Sequence, residues 1–63
     1  MPLSGKEIVR LLHQHGWELA RVKGSHHIMK KGAFEISVPV HGNRSLGTGL
    51  ERKILKTAGL KRK

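Results

Sequence analysis

Sixty-three residues without a cysteine allow one small domain with a thin core, and exclude a disulfide framework, a thiolate zinc site and a cysteine nucleophile. Thirteen Lys and Arg against four Glu and no Asp give a formal charge of +9, which attracts polyanions and nucleic acid above all; a solvated surface or an acidic protein partner is the alternative. No apolar run could span a membrane and no secretory signal is visible, so one domain over residues 1–63 in a cytoplasmic setting is expected.

Ser4 followed by Glu7 has the spacing of a capping box, with Leu3 and Ile8 placed as a hydrophobic staple. Ile8, Leu11 and Leu12 then share a stripe with Val9 beside them, and Gly16 sits where a left-handed residue closes a helix. The spacing predicts a helix over 5–15. From Trp17 the period shortens: Trp17 and Leu19 alternate with Glu18 and Ala20 until Val22 breaks the pattern. Gly24-Ser25 signals a turn, a second strand follows over 27–31, and Gly32-Ala33 signals another turn. "FEISVPV" is the cleanest strand, with Phe34, Ile36, Val38 and Val40 on one face and Glu35 and Ser37 on the other. Pro39 cannot donate to a ladder and marks an edge or an end.

"HGNRSLGTG" reads as a loop. Thr48 and Glu51 predict a second capping box, Leu50, Ile54, Leu55 and Ala58 a second apolar stripe, and Gly59 its close; Lys61-Arg62-Lys63 reads as a short, mobile basic end. The order is α-β-β-β-α, an α+β fold in which a three-stranded antiparallel sheet carries both helices on its apolar face.

Metal chemistry finds poor support in the residues. Successive strand positions point His26 and His27 to opposite faces, and His13 and His15 lie about 200° apart round their helix. With no Asp and scattered Glu, a metal cage is short of ligands and a Ser-His-acid triad at Ser25 lacks an Asp to orient the imidazole. What remains is a lone imidazole doing acid–base work, whose ordinary pKa of about 6.5 keeps both forms available near neutrality. RNA suits such a group because it supplies its own nucleophile, the 2′-hydroxyl; the enzyme adds a base, an acid and cations on the phosphate.

In "VKGSHHIMKK" a histidine beside a turn is flanked by Lys23, Lys30 and Lys31. If Ile28 faces the core, His27 and Met29 project from the open face, where a substrate can approach. The alternative is a pair of surface histidines beside a turn, with the lysines as a solvated strand. Gly24 either supplies a positive φ for that turn or lets a backbone approach a phosphate. His41 reads as a polar residue ending the third strand, with a second acid–base role as the alternative. Arg52, Lys53 and Lys56 fall away from the apolar stripe and give the second helix a basic side suited to phosphate contact.

"LSGKEIVRLLHQHGW", "KGSHHIMKK", "SVPVHG" and "LERKILKTAGL" together resemble, in order and spacing over nearly the whole chain, the HicA (YcfA-like) toxins of HicA–HicB toxin–antitoxin systems. The resemblance implies a double-stranded-RNA-binding-domain-like fold and an mRNA-cleaving endoribonuclease that arrests translation and growth. It implies that His27, the second histidine of the Gly-Ser-x-His pattern, is catalytic, with Gly24 and Ser25 as the frame of the motif. Met29 departs from the large or aromatic residue of many relatives, and the lysine-rich motif by which double-stranded-RNA-binding domains grip phosphates is missing, so stable duplex binding is not expected.

The resemblance also implies an acidic HicB-type antitoxin that covers the basic surface and blocks His27, with operator DNA bound only through that partner. No cofactor or metal is expected. The expected reaction is attack by the 2′-hydroxyl, leaving a 2′,3′-cyclic or 3′ phosphate and a 5′-hydroxyl, with Lys23, Lys30, Lys31, Arg52, Lys53 and Lys56 on the phosphates. A non-catalytic basic RNA-binding module is the rival reading, separated from the first by whether the RNA is shortened. A protein-interaction subunit whose charge suits an acidic partner is a third.

Overall fold

The computed structural model of the protein describes residues 3–42 and 44–60. The basic end at 61–63 lies outside the described residues, as does Asn43 of the loop. Five elements follow in the expected order: α1 (Gly5–Gln14), β1 (Glu18–Lys23), β2 (His26–Lys31), β3 (Phe34–Pro39) and α2 (Thr48–Thr57). The strands form one antiparallel sheet in the order β1-β2-β3. α1 touches all three strands, whereas the main contact of α2 is with β3.

α1 begins as its sequence dictates. The Ser4 amide donates to Glu7 Oε1 at 2.8 Å and the Glu7 amide donates to Ser4 Oγ at 3.2 Å, which satisfies two donors that an uncapped first turn would leave open. Ile8 and Leu12 are fully buried, and they meet Trp17, Met29, Ile36, Val38, Ile54 and Leu55 in one core. Gly5 is needed for close approach. A Cβ at this position would overlap the Pro39 carbonyl oxygen and stand 2.9 Å from Val40 Cα, so glycine lets the first turn of α1 seat against the end of β3.

The start of α2 departs from expectation. Gly47 is its N-cap, Thr48 is already helical, and no side chain caps the first turn. Glu51, the supposed return arm of a capping box, is instead buried and accepts a hydrogen bond from the Leu3 amide. A carboxylate taken out of water must find donors, and the chain entering α1 supplies one. Leu46 N–H also donates to the Leu3 carbonyl at 3.1 Å, so the segment before α2 is tied to the segment before α1. Leu50, expected in the apolar stripe, is 39% exposed; Glu51 occupies the buried flank in its place.

The irregular stretch around Val22 has a physical cause. Leu19 pairs with Met29 but Arg21 pairs with Ile28, so Ala20 is an extra residue in β1 and forms a bulge. The bulge returns Val22 to the face that Leu19 occupies, opposite His27. Both side chains remain about half exposed, because α1 does not cover the outer part of this edge strand. An open strip is thus left on the helix side of the sheet.

Candidate active site

The two adjacent histidines are sorted by the pleat. His27, Met29 and Lys31 share one face, and His26, Ile28 and Lys30 share the other. Cross-strand partners identify the faces: His27 lies opposite Val38 and Met29 opposite Ile36, all on the helix side, and Met29 is almost fully buried. The expectation that Ile28 faces the core and His27 the open face is therefore reversed. Adjacent apolar residues such as Ile28-Met29 satisfy either alternation, so the strand alone cannot decide. Its neighbour can. A two-residue turn at Gly32-Ala33 sets Lys31 opposite Phe34 and hence His27 opposite Val38, on the apolar face of β3.

His27 is half-buried and lines a groove of about 480 Å³ between α1 and the sheet. Lys6, Arg10, His13 and Gln14 of α1 form one wall, Leu19 the edge of the sheet, and Val9, Met29 and Val40 the apolar lining. The Nδ1 atom of His27 is enclosed and has no hydrogen-bond partner among the described residues. Its Nε2 is then the nitrogen open to the groove. Lys6, Arg10 and His13 are spaced by four and three, one row along a helix. That row is legible in the sequence; that it faces the catalytic candidate is not.

The Gly24-Ser25 turn holds this end of the site. Lys23 pairs with His26 across two residues, and Gly24 adopts φ +59° with open space where a Cβ would stand. Glycine at the first central position suits a hairpin turn that matches strand twist, and backbone conformation is what this site asks of it. The Ser25 carbonyl accepts from Val40 N–H at 2.7 Å, which fastens the turn to the end of β3 beside the groove.

The other basic residues singled out from the sequence lie elsewhere. Lys23 and Lys30 are on the opposite face from His27, Lys30 paired with Glu18 and Glu35. Lys31 shares the face of His27 but lies four residues along the strand, about 13 Å away. There its Nζ donates to the His15 carbonyl at 3.0 Å, at the C-terminal end of α1. Arg52, Lys53 and Lys56 are exposed on α2, as expected, and line no part of the groove. Among the described residues no group of three His, Asp or Glu converges as metal donors, and no helix is long and apolar enough to cross a membrane.

The model of the family described as HicA toxin of bacterial toxin–antitoxin matches residues 5–60, from the first residue of α1 past the end of α2. No curated protein matches the chain.

Proposed function

The chain belongs to the HicA toxin family, and we propose from that premise and from the groove that this toxin is a metal-independent endoribonuclease cutting mRNA, which arrests translation and growth. Membership makes it the toxic partner of an antitoxin. The observation that carries the chemistry is the placement of His27: one imidazole, half-buried, with Lys6 and Arg10 on the facing wall.

His27 Nε2 takes the proton from the 2′-hydroxyl of the bound nucleotide, and the freed oxygen attacks the adjacent phosphorus. Charge builds on the non-bridging phosphate oxygens in the transition state, where Lys6 and Arg10 oppose it in a groove lined in part by Val9, Met29 and Val40. The products are a 2′,3′-cyclic phosphate and a 5′-hydroxyl. Gly24 and Ser25 act as a frame that fixes the strand carrying His27. Lys23, Lys30, Lys31, Arg52, Lys53 and Lys56 contribute attraction and contacts to flanking phosphates rather than to the scissile one. An acidic HicB-type antitoxin neutralises this surface and covers the groove, and any operator binding belongs to that partner.

The test is cleavage of a long single-stranded mRNA in excess EDTA by the wild type, His27→Ala and His26→Ala, with DNA of the same sequence beside it. RNA cut by the wild type and His26→Ala but spared by His27→Ala is the expected result. RNA retarded on a gel but left whole by all three would make the protein a binding module, and cleavage of the DNA would defeat the 2′-hydroxyl mechanism.

A further inference from the structure

Cleavage by an internal hydroxyl needs two proton movements: one off the attacking oxygen and one onto the leaving oxygen. His27 provides the first, and for the second the sequence leaves a lysine, His41 or water open. The fold sorts the five histidines by position. His26 is on the opposite face of the sheet, His15 is the C-cap of α1, and His41 is exposed in the loop after β3. Only His13 and His27 line the same groove among the described residues. They approach it from different elements, His13 from the helix wall and His27 from the sheet, as two proton carriers on either side of a phosphorus must.

The remaining polar lining narrows the assignment. A guanidinium such as that of Arg10 and an amide such as that of Gln14 are not proton donors of this kind, which leaves His13 and Lys6 as the lining groups with a transferable proton, and imidazole is the commoner general acid. His13 is exposed on α1, so its ring is open to solvent between turnovers. We propose that His13 is the general acid of the toxin, a role that rests on the ribonuclease reading given above. As the 2′-oxygen bonds to phosphorus and delivers its proton to His27, the bond from phosphorus to the 5′-oxygen breaks and that oxygen takes a proton from His13. Water then returns both imidazoles to their starting forms, so atoms and charge balance over the cycle.

The decisive experiment replaces the leaving oxygen. An RNA with a single bridging 5′-sulfur at the cleavage site releases a thiolate that needs no proton, and it is compared with the all-oxygen RNA. On the all-oxygen substrate His13→Ala is expected to lose roughly 100-fold or more in rate, within the usual range for a general acid, while His41→Ala stays close to the wild type. On the sulfur substrate His13→Ala is expected to return to within about threefold of the wild type, whereas His27→Ala stays slow.

Arginine at this position carries charge but cannot release a proton. His13→Arg should therefore be as slow as His13→Ala on the oxygen substrate; wild-type rates from it would make His13 a phosphate-binding cation and overturn the proposal. So would a normal rate from His13→Ala on the oxygen substrate, or rescue of His27→Ala in its place, and both results would leave the ribonuclease reading standing. Failure of the wild type to cut either RNA would overturn both.

Discussion

His26 and His27 are joined by one peptide bond and inhabit two different environments. The face that carries His26 also bears Lys23, Arg21, Ile28, Lys30, Glu35 and Ser37, a mixed and largely exposed surface. Across it Arg21 and Glu35 form an ion pair at 3.6 Å with both side chains about half in water. The face that carries His27 holds Met29, Ile36 and Val38 under the helices, and beside β1 it opens where α1 brings Lys6, Arg10 and His13 to the rim. Positive charge along the sequence is therefore a poor guide to which cations line the groove. Three lysines stand closer to His27 in sequence than Lys6 and Arg10 do, yet the groove is built from the distant pair.

Substitutions on the two faces should separate sharply. The largest difference is expected at the histidines themselves: His27→Ala should cost about 100- to 10,000-fold in RNA cleavage, and His26→Ala less than about threefold, measured as initial rates on one RNA. Equal losses would erase the distinction between the faces. Next come the two apolar residues that follow. Met29→Ala removes a fully buried side chain and should destabilise the fold by about 2–4 kcal/mol, while Ile28→Ala on the half-exposed face should cost about 1 kcal/mol or less, read from urea midpoints with the slope checked for constancy. A chain of this size has little stability to spare, so partial unfolding of Met29→Ala at 37 °C is expected.

Gly5→Ala probes how α1 is seated over the groove. Overlap with the Pro39 carbonyl should cost about 1–3 kcal/mol and displace the wall that carries Lys6 and Arg10, seen as lost stability together with a raised KM. A neutral Gly5→Ala would mean that the helix shifts without cost. A smaller effect is expected from charge removal. Lys6→Ala with Arg10→Ala should weaken single-stranded RNA binding about tenfold and lower the salt dependence by about 1.4 in log–log slope, and Lys23→Ala with Lys30→Ala should change cleavage far less. Smallest of all is Glu35→Ala, which breaks an exposed ion pair and should move stability by less than about 0.5 kcal/mol.

Much of this architecture is written locally. The Ser4–Glu7 box, the Ile8–Leu12 stripe, the positive-φ glycines at the turns and the alternation of "FEISVPV" each specify an element through contacts within a few residues. Two readings failed where local rules admitted more than one answer. Thr48 and Glu51 have capping spacing, but Glu51 faces inward and binds the Leu3 amide forty-eight residues away. Ile28 and Met29 are both apolar and adjacent, so alternation could not choose between them; the register with β3 did. For the candidate site, the sequence singled out His27 and its Gly-Ser turn together with Lys23, Lys30 and Lys31, whereas the groove beside His27 is lined by Lys6, Arg10 and His13, because proximity along a strand alternates between faces.

The sequence by itself determined the order of elements, the ends of α1, the basic character of the surface and the imidazole on which the functional reading turns. Short-range geometry is enough for these: a helix or hairpin places its own residues within one or two turns of each other. Only the tertiary structure decided which face His27 occupies, that Ala20 bulges, that Glu51 is buried, and that Lys6, Arg10 and His13 meet His27 across a groove. Those facts depend on how α1 crosses the sheet and on where that helix stops covering β1. Such placement is a property of packing between elements, and no pattern within a single element encodes it.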